Sequence, residues 1–370
     1  MPPWYGYWNS PVWSSFLSLA LSLRAEQCYN ALPVLPDWTN GEYLPSLSII
    51  IPARDEEANL SVLLPLLKQS VYPGDVEILV VNDGSTDHTQ EVANCQGVNL
   101  INLEGRLPCG WLGKPHACHH GALAAHGEWL LFTDADTRHS PTAAARCVDY
   151  ALRNNLDGLS LFTRQECSHF VDRMALATAY GGLFAGYGTN NRMLNGQYIL
   201  LRREVYQESG GFTAVRGHVL EDVALGRYLA SRGYRVPVLR GETSVTVSMY
   251  SSRKQMLQGI TRLSSEWLRY SGSGVVANSA YITAILSPLI ILVGMLSGKA
   301  SRRWLLPSWG AVSVAALPWY RRFGSSWQSF LAPFGALLII VTSLWGIASR
   351  LLNRGVPWRG RKVIAQSSRR

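Results

Sequence analysis

The stretch from Leu47 to Asp87 constrains the fold of this chain more than any other. Two apolar runs, Leu47-Ser48-Ile49-Ile50-Ile51-Pro52 and Val76 to Val81, have the length of buried strands. Between them Asp55-Glu56-Glu57-Ala58-Asn59 opens a helix through Lys68, with acids in its first turn where the helix dipole favours them. Strand, helix, strand at this spacing implies a right-handed crossover and a parallel pair. The second run stops at Asn82-Asp83-Gly84-Ser85-Thr86-Asp87. In an open α/β sheet, ligands sit at the carboxyl ends of the strands, and this end is an acid followed by a glycine turn.

The alternation continues. Ser85 or Thr86 reads as the cap of a helix to Cys95, and Val98–Leu103 as a third strand. Lys114–His126 is a helix of small residues, and Glu128–Thr133 is a strand ending in a second acidic cluster, Asp134-Ala135-Asp136. Pro141 opens another helix. Leu156–Phe162, Gly196–Leu201, Val236–Leu239 and Thr243–Val247 read as strands, and a helix follows Glu221-Asp222. From Cys167 to Asn195 the pattern loosens, and the glycines between Tyr180 and Gly188 point to close packing or a mobile segment. The expected class is α/β, a mostly parallel sheet with helices on both faces.

The last third is different. Ala277–Ser297 and Phe330–Ser349 are long and apolar enough to span a bilayer, whereas Trp304–Tyr320 is shorter and carries Pro307 and Pro318. The net charge is +9, but the basic residues thicken at the C-terminus beside hydrophobic runs, from Arg350 to Arg370. That is the positive-inside pattern and not a nucleic-acid stripe. Many of the 13 Trp lie near the ends of hydrophobic segments, as interfacial belts do. Arg253–Tyr270 is amphipathic and basic, which suits a helix on an anionic membrane surface or a core-packing helix. Val12–Leu23 is too short to span and reads as interfacial. The expected organisation is an N-terminal interfacial segment and linker (1–45), a catalytic domain (46–250), an amphipathic helix (251–274), transmembrane helices (275–352) and a basic tail (353–370). An even number of crossings keeps the domain and the tail in the cytoplasm, so two full spans are expected, with the middle segment re-entrant or interfacial. The six cysteines show no CxxC spacing and read as reduced thiols.

Acidic strand ends of this kind suit a divalent cation that neutralises a departing diphosphate. Mg²⁺ and Mn²⁺ take oxygen ligands, typically one or two carboxylates completed by phosphate and water. Asp134 and Asp136 meet that description, although an acid pair after a strand is common. No GxGxxG follows the first strand, which excludes a simple dehydrogenase. His116, His119 and His120 cluster after Lys114, with only His116 and His120 at i, i+4, and read as a site rim or plain surface more readily than as a zinc site.

The ordered set Ile50-Ile51-Pro52-Ala53-Arg54-Asp55-Glu56-Glu57, Asn82 to Asp87, Gly113-Lys114-Pro115, Asp134-Ala135-Asp136 and Glu221-Asp222 resembles the family 2 glycosyltransferases of the Rossmann-like GT-A fold, over residues 46–270. The resemblance implies transfer from a nucleotide-sugar with Mg²⁺ or Mn²⁺ as cofactor. It implies that Asp83 contacts the nucleoside, that Ala53 and Glu57 line its pocket, and that Lys114 pairs with phosphate. Asp134 and Asp136 would hold the metal and diphosphate, Asp136 more directly. Asp222 would be the general base of an inverting transfer, which needs a single carboxylate; its plainer reading is a helix N-terminal acid. Glu221 and Trp267 would lie on the acceptor side, and Arg262 near the diphosphate. The family's Q/RxxRW motif is only approximated by Gln258 to Arg262 and Glu266-Trp267.

Within the family, Gly110-Trp111-Leu112-Gly113-Lys114-Pro115 and Gly355-Val356-Pro357-Trp358-Arg359-Gly360 resemble the membrane-associated bacterial subgroup linked to carotenoid and hopanoid metabolism, which includes cyanobacterial carotenoid 2'-O-glycosyltransferases. That implies a lipid-soluble acceptor such as a hydroxylated carotenoid, met at the membrane by a groove built from residues 181–188 and the helix 253–270. A polyprenyl phosphate or glycolipid acceptor is the alternative within the class. A catalytically dead, membrane-anchored scaffold is the alternative outside it.

Overall fold

The computed structural model describes residues 10–38, 42–167, 169–187, 192–250, 252–265, 273–352, 354–358 and 361–363. The chain divides into two compact units: residues 32–166, 192–249 and 359–370 form one, and residues 1–31, 167–191 and 250–358 the other.

The first described element is α1 (Ser10–Asn30), part of the second unit. The first unit then builds β1 (Leu47–Ala53), α2 (Glu57–Lys68), β2 (Val76–Asn82), α3 (Thr89–Cys95), β3 (Asn99–Asn102), α4 (Gly113–Ala124), β4 (Trp129–Thr133), β5 (Thr137–His139), α5 (Ala143–Arg153), β6 (Gly158–Phe162) and β7 (Arg164–Gln165). After α6 (Phe170–Gly186), in the second unit, it resumes with β8 (Tyr198–Arg202), α7 (Arg203–Ser209), α8 (Glu221–Ser231), β9 (Val238–Arg240) and β10 (Val245–Val247).

Seven strands form the main sheet in the order β3-β2-β1-β4-β8-β6-β9. The first four are mutually parallel, β6 and β9 are parallel, and β8 runs antiparallel between β4 and β6. The α/β expectation holds, with one reversed strand. In register, Leu47 lies opposite Val76 and Trp129, and Ala53 opposite Asn82. Both acidic strand ends therefore open at the same edge. Ile49, Ile51, Val80, Leu131 and Leu159 are buried, and α2 covers the sheet with Leu60, Leu63, Leu64 and Leu67, a 3.6-period face. Burying each such side chain contributes about 1.5–3 kcal/mol. A small sheet, β5-β10-β7, continues from the second acidic loop.

The loops after β1 and β2 are interlocked. Asp55 has φ 53°, unusual outside glycine, and this turns both its amide and its carboxylate toward the second loop. Its N–H donates to Ser85 Oγ (3.0 Å), and its Oδ1 accepts from Thr86 N–H (2.7 Å) and Thr86 Oγ1 (3.1 Å). Glu56 N–H donates to Thr89 Oγ1 (2.8 Å) and Glu57 N–H to Asp87 Oδ2 (3.1 Å), while Glu57 Oε2 accepts from His88 N–H (2.9 Å). For this reason α3 begins at Thr89: Ser85 and Thr86 hold Asp55 instead of capping the helix.

The second unit contains α1, α6, α9 (Arg253–Ser265), α10 (Ser273–Leu296), α11 (Leu305–Arg322) and α12 (Ala332–Leu351). Several expectations change here. The helix read as Val12–Leu23 runs for 21 residues as α1. It buries its small polar face (Ser15, Ser18, Ser22, Ala25) against other helices and leaves Trp13 and Leu23 71% and 66% exposed. The loosely patterned stretch holds α6, whose glycines permit close packing on α10. Gly181 faces the Tyr281 ring, and a Cβ on Gly186 would lie 2.2 Å from the Gly274 carbonyl oxygen. That face is filled by α10 and is not an open groove. The apolar face of α9, with Met256 and Ile260 buried, packs on α12, and Ser264 and Ser343 hydroxyls meet at 2.9 Å. It is covered by protein, with Arg253 and Lys254 exposed. The middle segment is one continuous helix, α11, joined to α1 by a two-pronged Arg322–Glu26 ion pair (2.5 and 2.8 Å). Two helical segments, Ser273–Leu296 and Ser326–Leu351, are long and apolar enough to cross a membrane.

Replacing Gly186 by Val should force α6 off α10. The expected outcome is a melting temperature in detergent several degrees below that of the unaltered protein, in a thermal-shift assay, with Gly310→Val much milder, because Gly310 lies in the regular helix α11 and nothing lies within 4 Å of a Cβ there.

Candidate active site

Three elements bring one lysine and three carboxylates together. Lys114 stands in the first turn of α4, Asp134 directly follows β4, and Glu221 and Asp222 open α8. The α8 dipole favours those two acids. The α4 dipole disfavours a cation at Lys114, and the carboxylates offset this. Lys114 Nζ lies 2.6 Å from Asp134 Oδ1 and 3.2 Å from Glu221 Oε1, and it donates to the Gly196 carbonyl (3.0 Å). Asp222 is held by two amides: Gly196 N–H donates to Oδ2 and Val223 N–H to Oδ1, both at 2.8 Å. A narrow crevice beside them is lined by Pro52, Lys114, Cys118, Thr133, Asp134 and Glu221.

Desolvation, and then the charge of Glu221, raise the Asp222 carboxyl to about 6, against the pull of Lys114 and the two amides. Burial alone would depress the Lys114 ammonium, but Asp134 and Glu221 outweigh it and hold it above the ordinary lysine value. Burial also pushes the Cys118 thiol up, so it stays protonated. Near neutral pH the cluster thus pairs a permanent cation with a carboxyl that loses its proton near pH 6.

The loop Asp134-Ala135-Asp136 is supported from below. Thr137 Oγ1 donates to the Asp134 carbonyl (2.7 Å), and His139 Nε2 lies 3.0 Å from Thr133 Oγ1 and 3.1 Å from Thr137 Oγ1. Burial, and then the Arg138 charge, lower His139 to about 3, so it is neutral. Asp136 is 8% exposed, and its carbonyl accepts from Ser248 N–H (3.1 Å). Among the described residues no three His, Cys, Asp or Glu side chains group as a metal site. Two hard carboxylates on one loop, one of them shared with Lys114, fit an ion that brings its remaining ligands as phosphate oxygens and water.

On the other side, the Ala53 carbonyl accepts from Asp83 N–H (2.9 Å), and Arg54 Nη1 donates to the Asp83 carbonyl (2.6 Å). Asp83 is 8% exposed at the strand edge. Glu57 opens α2, with Oε2 engaged in the loop interlock. His116 and His120 face each other with Nε2 atoms 3.2 Å apart, and His119 stacks on Trp111. Arg262 lies on α9 in the second unit, and Trp267 lies outside the described residues. The structure thus gathers Lys114, Asp134, Glu221 and Asp222. It also adds residues that sequence reading missed: Gly196, Thr137 and His139. Gly196 acts through its backbone, and no side-chain pattern could have signalled it.

Residues 48–216 match the family model described as Glycosyl transferase family 2. The chain carries a family 2 glycosyltransferase domain. A 4,4'-diaponeurosporenoate glycosyltransferase of Staphylococcus aureus strain RF122 is 30% identical over 250 residues, covering 65% of this chain and 64% of that relative, a little under two thirds of its length. The enzyme of the same name from strain USA300 is 27% identical over 337 residues, covering 86% of this chain and 88% of that one. Among solved structures, a mannosyltransferase from Pyrobaculum calidifontis in complex with GDP-Man and Mn²⁺ superposes with a TM-score of 0.60 at 18% identity, covering 92% of this chain and 99% of that one. That likeness is one of fold. The α/β domain is a GT-A fold, and Asp222 follows the matched residues by only a few positions.

A carboxylate that must be ionised to act is inactive below its own pKa. Because Asp222 is raised to about 6, turnover should fall on the acid side with a limb near pH 6. Lys114→Met removes the cation that opposes this shift, so the limb should move to higher pH in a kcat-against-pH series.

Proposed function

We propose that this protein is an inverting glycosyltransferase that moves a sugar from a nucleotide-sugar to an oxygen of a membrane-soluble isoprenoid, a carotenoid above all. The observation that carries the reading is the cluster itself: a desolvated carboxylate, Asp222, beside the Lys114–Asp134–Glu221 ion group at the edge of a GT-A sheet. The acceptor class is supported by the relatives, which are named for diaponeurosporenoate.

In this reading Asp83, Ala53 and Glu57 form the nucleoside end of the donor site. Lys114 meets the diphosphate, and Arg262 contributes to the same charge. Mg²⁺ or Mn²⁺, held by Asp134 and Asp136 with Asp136 the more direct ligand, would supply Lewis-acid stabilisation of the departing diphosphate. Asp222 takes the proton of the acceptor hydroxyl. The acceptor oxygen bonds to C1 from the face opposite the phosphate, and the C1–O bond to the diphosphate breaks. Glu221 and Trp267 belong to the acceptor side. No covalent sugar–enzyme intermediate is needed, so one base suffices.

A lipid acceptor agrees with the second unit. Its two long apolar helical segments turn Val293, Leu296, Leu344 and Trp345 outward (62–82% exposed) and bury Ser287 and Thr342. In water that pattern is unfavourable, and in lipid it is the expected one, with small and polar residues at helix contacts. We read these segments as membrane spans, with the catalytic domain on the cytoplasmic side, where nucleotide-sugars are found. Nucleic acid has no part in the reading.

The test is transfer by the purified full chain in lipid vesicles, with UDP-glucose, GDP-mannose and GDP-fucose offered singly against a hydroxylated carotenoid and a carotenoid carboxylic acid. Glycosylated pigment is expected with one donor, lost with EDTA and restored by Mn²⁺ or Mg²⁺. Asp136→Asn should abolish it, and Asp222→Asn should lower kcat about 10²–10⁴-fold for a hydroxyl acceptor. A carboxylate acceptor arrives ionised, so Asp222→Asn would then cost far less. No pigment product with any donor, together with an unchanged pigment profile in a knockout of the native host, would refute the carotenoid acceptor.

A further inference from the structure

The segment Asn195-Gly196-Gln197 enters β8, the reversed strand, at the edge where the carboxylates gather. It carries no side chain of the donor site, yet three parts of that site hang on its backbone. The Gly196 carbonyl accepts from Lys114 Nζ (3.0 Å), and the Gly196 N–H donates to Asp222 Oδ2 (2.8 Å). The Gln197 carbonyl accepts from Thr133 Oγ1 (3.1 Å), beside Asp134.

Behind the backbone lies a buried polar network. Gln197 Oε1 accepts from Thr163 Oγ1 (2.5 Å) and Gln165 Nε2 (2.8 Å), and Gln165 Nε2 also reaches Thr163 Oγ1 (2.9 Å). Ser160 Oγ accepts from Asn195 N–H (2.8 Å), and Asn195 Nδ2 donates to the Leu161 carbonyl (2.8 Å). Ser160, Thr163, Gln165 and Gln197 are all less than 9% exposed. Polar groups buried in this way rigidify what they hold, because any displacement leaves donors or acceptors unpaired. Gly196 itself has no room for a side chain: an added Cβ would lie 3.0 Å from Asp222 Oδ2 and 3.2 Å from Lys114 Nζ.

We propose that Asn195-Gly196-Gln197, braced by Thr163 and Gln165, is the positioning element of the transfer, setting Asp222 on the amide and Lys114 on the carbonyl of one residue, Gly196. The inference rests on the reading of Asp222 as the base. It assigns no chemistry to these residues; they act through the groups they place. A Cβ at Gly196 meets only side-chain atoms, Asp222 Oδ2 and Cβ and Lys114 Nζ, at 3.0–3.2 Å, so a shift of those two side chains accommodates Gly196→Ala and the fold should survive.

The experiment uses the full chain in vesicles, with whichever of the three sugar nucleotides gives turnover. Gly196→Ala should lower kcat at least tenfold, leave the donor KM within threefold and displace the acid limb of the pH profile, with an unchanged melting temperature. Thr163→Val should act in the same direction, and Thr163→Ser, which keeps the hydroxyl, should restore most of the rate. Wild-type kcat and an unmoved acid limb in both Gly196→Ala and Thr163→Val would overturn the proposal. An Asp222→Asn variant that retains transfer to a hydroxyl would instead overturn the reading of the base.

Discussion

The ion group around Lys114 is the interaction on which the rest of the site depends. Asp134, Glu221 and Asp222 come from two different elements and would repel one another without a cation between them. Lys114 is that cation, bonded to two of them and to the carbonyl of Gly196, the residue whose amide holds the third. The cation pairs with Asp134 and Glu221 and does not touch Asp222, whose carboxyl burial and the charge of Glu221 raise to about 6.

The sheet makes that meeting possible. Parallel strands in register deliver Ala53, Asn82 and Thr133 to one edge, and the loops that follow face one another. Most acids of those loops serve the scaffold. Asp55, Glu57 and Asp87 are spent on hydrogen bonds between neighbouring loops, each worth about 1 kcal/mol net. The left-handed turn at Asp55 is the strained point that this bonding sustains. Asp83 is left at the rim with its backbone clamped on both sides.

Two helices of the helical unit, α1 and α12, depart from the rule of a water-soluble core. They bury mostly serine, threonine, glycine and alanine and turn large side chains such as Trp13, Leu344 and Trp345 outward, whereas α10 also buries Tyr281, Ile285 and Ile291. Reading amphipathicity in the usual sense led to a short interfacial helix at the N-terminus and a loosened stretch at Cys167–Asn195. α1 and, within that stretch, α6 (Phe170–Gly186) are regular helices whose contact faces are rich in small residues. The basic, amphipathic α9 was misleading in the other direction, because α12 covers the side that reads as lipid-binding.

By itself the sequence determined the class of fold, the strand ends that bear acids and the family resemblance, because these depend on periodicity and on residue types at fixed spacing. Lys114, Asp134, Glu221 and Asp222 were all legible as candidates. Tertiary structure alone decided that Lys114 bonds Asp134 and Glu221, that Glu57 belongs to the loop interlock, and that Gly196 joins Lys114 to Asp222. Each of these rests on a backbone amide or carbonyl, or on a contact across twenty or more residues of chain, and neither kind of contact leaves a mark in the order of side chains.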